Sequence, residues 1–124
     1  MVGRVPQRER EAQQPLAADL LAALSALADP TRLRIVTLLG EREQCVCHLT
    51  EALGRTQGTI SHHMGKLKRA GLVRDRRDPD DARWIYYSLD PEGACHLKSS
   101  LADLLDTTHT DPAPASCRLP GSQC

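Results

Sequence analysis

Two helical patterns only three residues apart constrain this chain more than any other feature it has. Residues 46 to 53 read as a short helix that ends at Gly54. "TQGTISHHMGKLKRAG" then starts at a Thr56 cap and stops at Gly71, with Ile60, Met64 and Leu67 stacked along one side. Two helices joined by "GRT" predict a helix-turn-helix. With Ile60 placed at zero degrees on the second helix, Met64 and Leu67 fall within about 40° of it. The opposite side then carries Gly58, His62, Gly65 and Arg69, flanked by Thr59, Ser61 and Lys66.

The rest of the chain supplies what such a pair needs around it. In "PLAADLLAALSALADP", Leu16, Leu20, Leu21, Leu24 and Leu27 recur at spacings of three and four, giving a helix with one broad apolar face. "DPTRLRIVTLLG" has Asp29 as N-cap, Pro30 at the first helical position and Gly40 just past its expected end. "LVRDRR" and "RWIYYSL" are rich in strand formers, and the turn-rich "DPDDA" between them predicts a β-hairpin. Asp90 and Pro91 open a last helix whose Leu97, Leu101, Leu104 and Leu105 form a second apolar strip. The expected fold class is mainly α with a β-hairpin wing: a winged helix-turn-helix of five helices.

A chain of 124 residues with 40% hydrophobic content suits one core and one domain. We expect a frayed, charged and Gln-rich arm over residues 1–14 and a single domain over 15–107. A Pro- and Ser-rich tail over 108–124 follows, carrying Cys117 and Cys124. No apolar run reaches membrane-spanning length, and the polar opening "MVGRVPQRERE" lacks the apolar core of a signal peptide, so the expected location is cytoplasmic, with no membrane partner.

Formal net charge is zero, yet residues 55–74 hold Arg55, Lys66, Lys68, Arg69 and Arg74 with no Asp or Glu. A phosphate backbone would feel that local excess. Small and hydrogen-bonding residues on the outer face of a second helix suit approach to base edges in a major groove. Ser61 and His62 are the candidate base readers, His63 is grouped with the DNA-binding residues, and Gln57 and Thr59 near the helix start can bond bases or phosphates. Lys66 and Lys68 suit phosphate, which fixes position without specifying sequence. A basic wing would add Arg74, Arg76, Arg77 and Arg83, although Asp78, Asp80 and Asp81 at its tip work against it.

Five cysteines is an odd number, which speaks for reduced thiols rather than a disulfide framework. Two of them stand one residue apart in "EQCVCHL". On a regular helix Cys45 and Cys47 would point about 200° apart, so closing a chelate between them is expected to distort the first helical turn.

"ALADPTRLRIV", "CVCHLTEALG", "TQGTISHHMGKLKRAGLVRDRR" and "RWIYYSL" closely resemble the ArsR/SmtB family of winged-helix, metal-sensing transcriptional repressors, over about residues 16 to 106. The resemblance implies a homodimer with the first and last helices at the subunit interface. It also implies a palindromic double-stranded operator that the dimer leaves when an ion binds. "CVCHL" is similar to the box that arsenic, cadmium and lead sensors carry at the start of the helix before the recognition helix. Two departures stand out: His48 replaces the usual acidic residue, and Thr50 stands where several arsenite-responsive members have a third cysteine.

Trivalent arsenic and antimony are thiophilic and form three bonds in a pyramid, so three thiolates complement them. The expected metal ligands are therefore Cys45 and Cys47, completed by Cys117, then Cys124, then Cys95; a tail can reach where a helix cannot, across the dimer included. A monomethylated trivalent arsenical would need only two sulfurs. The alternatives within the fold are release by cadmium, lead or zinc, or by thiol oxidation. His48, His96 and His109 lack the spacing of the last-helix zinc pattern that related sensors use. From another class, a small thiol redox enzyme or arsenical carrier competes. No Cys-x-x-Cys in a strand-helix context and no nucleophile–base arrangement supports an enzyme.

Overall fold

A computed structural model describes residues 19–115. Five helices and a small sheet follow in the order α1 (19–27), α2 (Pro30–Glu41), β1 (Gln44–Cys45), α3 (Val46–Leu53), α4 (Gln57–Arg69), β2 (Val73–Arg77), β3 (Ile85–Leu89) and α5 (Pro91–Leu104). This is the winged helix-turn-helix that the periodicities predict. The arm over 1–14, Leu16, Cys117 and Cys124 lie outside the described residues.

Local chemistry sets most of the boundaries. The Asp29 carboxylate accepts the Arg32 backbone N–H at 3.0 Å, and Pro30 starts α2 without sacrificing a hydrogen bond. Thr56 caps α4 by accepting the Thr59 N–H at 3.3 Å. The Asp90 carboxylate accepts from Glu92 and Gly93 at the head of α5. Gly54 closes α3 with φ +63°, a left-handed conformation that a side chain would strain. Gly40 differs from expectation. It lies inside α2, which runs on to Glu41, because Gly40 does not adopt positive φ and the Arg42 N–H still reaches the Leu38 carbonyl.

The core is a junction of three helices against the wing. Ile35 and Leu39 from α2, Leu49 and Leu53 from α3, and Ile60, Met64 and Leu67 from α4 meet Leu72, Val73 and Tyr87. Truncating any of the fully buried Ile35, Leu49 or Leu67 to Ala should cost about 2–5 kcal/mol. The apolar faces of the outer helices behave differently. α1 buries Ala23 and Ala26 but leaves Leu21 67% exposed, and α5 has no buried residue, with Leu104 and Leu105 exposed as well.

The sheet holds one strand more than the hairpin predicts. β3 is central, with β2 antiparallel on one side and the two-residue β1 antiparallel on the other. Through this pairing Cys45 stands opposite Tyr86, so the thiol segment is a part of the wing's sheet.

Candidate functional site

α3 and α4 pack together as a helix-turn-helix, and the core contacts of Ile60, Met64 and Leu67 fix which face of α4 looks outward. Gln57, Gly58, Ser61, His62 and Lys66 are exposed on that face, and Thr59 is half-buried beside them, its hydroxyl accepting from Thr56 at 3.0 Å. Lys66 enters no ion pair among the described residues, whereas Lys68 is held by Asp75 at 2.9 Å.

His63 turns inward. Its Nδ1 lies 3.1 Å from the Arg32 guanidinium, whose Nε donates to the Ala26 carbonyl at 2.6 Å, tying α4 to α2 and to the end of α1. Arginine only donates, so Nδ1 accepts and the neutral ring carries its proton on Nε2. Burial first, and the neighbouring cations Arg32, His62 and Lys66 after it, push the His63 pKa below its ordinary value against the pull of Asp29. His63, grouped by sequence with the DNA-binding residues, instead turns its ring to Arg32 and joins α4 to α2.

The wing is not the basic arm that its arginines suggest. From residue 74 to residue 83, four arginines face four aspartates. Arg76 donates twice to Glu43, at 2.9 and 2.6 Å, and lies over the Tyr86 ring at 4.7 Å. Arg83 is paired with Asp81 at 2.9 Å, and Arg77 donates to the Ala82 carbonyl at 2.7 Å. The acidic tip is likewise engaged. Asp78 accepts the backbone N–H groups of Asp80 and Asp81 and the Tyr86 hydroxyl, which hold its carboxyl below the usual range and pin the turn. Within the wing, the arginines Arg76 and Arg83 are thus held by carboxylates, whereas Arg74 and Arg77 enter no ion pair among the described residues.

The thiol pair occupies a place of its own. Cys45 is buried, with extended backbone at φ −86°, and it is the N-cap of α3 without a side-chain capping bond, so its sulfur is uncommitted to the helix. Cys47 is exposed as the second helical residue. The Cys45 thiol lies against it, and that contact, ahead of desolvation, raises the Cys47 pKa above the ordinary thiol value. The two cysteines do not share a regular helix, as the sequence pattern had them: Cys45 precedes it. Because the strand ends and the helix begins between them, the separation of about 200° on a regular helix does not apply to this pair.

Both cysteines line a cleft of about 710 Å³ between the head of α3 and the hairpin, which Thr50, Gln57 and Trp84 also line. The Thr50 hydroxyl donates to the Cys47 carbonyl at 2.8 Å, so the place of a third sulfur is taken by a group bonded to its own helix. Cys95 is exposed on α5, and among the described residues no three His, Cys, Asp or Glu side chains converge, with His48, His96 and His109 included. The described chain thus offers two sulfurs, not three.

A family model for bacterial regulatory proteins of the arsR family matches residues 29–75, which run from the Asp29 cap into β2. The arsenic resistance transcriptional regulator ArsR1 of Pseudomonas putida is 39% identical over 94 residues, covering 75% of this chain and 71% of that protein. The arsenical resistance operon repressor of Escherichia coli is 42% identical over 81 residues, covering 64% and 63%. Among solved structures, one described as a possible transcriptional regulator for arsenical resistance superposes with a TM-score of 0.59 at 37% identity, covering 68% of this chain and 84% of the other. No helix among the described residues is long and apolar enough to cross a membrane. The chain belongs to the arsR family of winged-helix bacterial transcriptional regulators, whose helix-turn-helix binds DNA.

Proposed function

We propose that this protein is a repressor that binds a palindromic operator as a homodimer and is released when trivalent arsenic or antimony is captured by Cys45 and Cys47. The observation that carries the reading is the pairing of these two thiols at the head of α3, the helix directly before the reader. Sulfur capture there acts on three elements together, since Cys45 ends β1, caps α3 and pairs with Tyr86 of the wing. Release requires only that the ligand bind the off-operator arrangement better than the operator-bound one. About 1.4 kcal/mol of such coupling lowers operator affinity tenfold.

Trivalent arsenic and antimony are soft, thiophilic centres that thiolates complement, and each As–O bond that breaks gives up its hydroxide as water with the thiol proton. For inorganic arsenite the third sulfur is assigned to the tail, Cys117 before Cys124, because Cys95 stands outside the cleft. Homodimerisation is supported by the leucines that α1 and α5 leave exposed, an apolar surface that a second copy would cover. Gln57, Thr59, Ser61, His62 and Lys66 meet the operator.

The test is operator binding with and without arsenite. Cys45→Ser and Cys47→Ser should each bind operator as the parent does and fail to release it. Release that persists in both variants removes the pair from the mechanism, and a protein with no preference for any duplex sinks the repressor reading itself.

A further inference from the structure

Arg32 is a buried cation without a carboxylate. It is 9% exposed and enters no ion pair among the described residues. A buried charge needs partners, and the two it has are both neutral. Its Nε donates to the Ala26 carbonyl in the last turn of α1 at 2.6 Å, and its Nη1 meets Nδ1 of His63 on α4 at 3.1 Å. One side chain of α2 therefore joins the close of α1 to the reading helix. The core seat of α4 is apolar, through Ile60, Met64 and Leu67. Apolar burial has no direction, whereas a hydrogen bond has one, so the tie at His63 fixes the rotation of α4 about its own axis. His63 shares a helical turn with the exposed Ser61 and His62, and that rotation therefore sets where they point.

Histidine as the acceptor gives this tie a second state. A glutamine would accept from Arg32 at any pH, but an imidazole accepts only until it takes a proton, after which both ring nitrogens donate. Protonated His63 cannot hold the Arg32 guanidinium, and the two cations repel. A second partner is within reach: Oδ2 of Asp29 lies 3.9 Å from Nδ1. The same carboxylate caps α2 by accepting the Arg32 N–H at 3.0 Å, so a change of partner moves α4 against the head of α2. The charged groups that act on the ring are Asp29 and Arg32 from α2 and His62 and Lys66 from α4 itself. Burial first, with the three cations behind it, keeps the ring neutral down to a pH below the ordinary 6.5, against the pull of Asp29.

We propose that Arg32 and His63 are positioning residues for operator recognition, and that a proton taken up from solvent by His63 moves its ring from Arg32 to Asp29 and turns the reading helix out of register with the operator. The proposal rests on α4 as the DNA reader and is independent of the thiol pair.

The experiment compares the full-length parent with His63→Gln, whose amide accepts from Arg32 and does not titrate. Operator affinity is measured by anisotropy between about pH 7.5 and about pH 5 and referred to the folded fraction, read by circular dichroism at each pH. Protonation of the exposed His62 strengthens phosphate attraction in both proteins alike, so the quantity read is the difference between the two profiles. The parent should lose at least about fivefold more affinity over this range than the variant, the lower end of ordinary coupling between sites. Ring nitrogen chemical shifts of His63, recorded without DNA, should show Nε2 protonated and Nδ1 bare at pH 7.5. Parallel affinity profiles in the two proteins, or a proton on Nδ1 at pH 7.5, overturn the inference. A protein that prefers no duplex at any pH sinks the repressor reading and this inference with it, whereas an operator bound with parallel profiles removes only the role given to Arg32 and His63.

Discussion

Gly65 separates what stabilises this fold from what we expect it to do. It sits in the middle of α4, and a Cβ placed there meets only the tip of the Arg69 guanidinium at 3.8 Å, an ordinary contact. Within the chain nothing requires glycine, and glycine in a helix interior costs about 0.8–1.0 kcal/mol relative to alanine. Gly65→Ala should therefore stabilise the folded chain by about that much, raising Tm by about 4–8 °C for a domain of this size. The outer face of α4 is nevertheless where we place the operator, and there the added methyl stands between helix and base edges. An overpacked contact costs about 1–3 kcal/mol, a loss of affinity between about fivefold and two hundredfold. Thermal melting by circular dichroism and anisotropy with a labelled operator measure the two effects on one preparation. A variant that is more stable and binds DNA as well as the parent would refute the close approach of this face.

Three further outcomes follow from the geometry. A Cβ on Gly93 would overlap the Gly71 carbonyl oxygen, so Gly93→Ala should push α5 off the turn after α4 and lower Tm, and an unchanged melting curve refutes that packing. His63 stays neutral in the fold with its pKa below the ordinary 6.5, so the unfolded chain takes up the proton first; stability should be full above that value and decline as pH falls through it. Asp29, also lowered, adds a loss only at more acid pH, below 3.8, so urea midpoints at pH 7.5 and 5.5 isolate the histidine, and His63→Gln should flatten the difference. Glu43→Gln releases the Arg76 guanidinium from its carboxylate. If the wing lies along the operator, the salt dependence of binding should steepen by about one phosphate contact, and an identical slope takes Arg76 off the DNA.

Much of this molecule could be read from its residues because its helices are punctuated locally. Asp29–Pro30, Thr56, Asp90–Pro91, Gly54 and Gly71 each act within one turn of themselves, and a cap or a left-handed glycine needs no partner from elsewhere in the chain. β1 escaped because a two-residue strand has no alternation to read; only its pairing with β3, some forty residues on, makes it a strand. That omission put Cys45 on the helix rather than at the end of a strand. The neutral wing was half legible, since its aspartates are adjacent in sequence, whereas the hold of Glu43 on Arg76 spans 33 residues and is purely tertiary. His63 was within reach of sequence reasoning: about 60° from Ile60 on the wheel, it lies nearer the core face than the outer one.

Cys45 and the residues around it differ in how firmly the fold holds them. The Cys45 backbone is committed twice over, to a neighbouring strand and to the start of a helix, so its sulfur is fixed by the architecture as a whole. Cys47 and Trp84 around it are exposed positions whose side chains carry no such obligation, whereas the Thr50 hydroxyl is bonded to its own helix. If the thiol pair is the inducer site as proposed, exchanging Cys47 or Trp84 alters what the cleft accepts while the strand and helix that position Cys45 stay as they are.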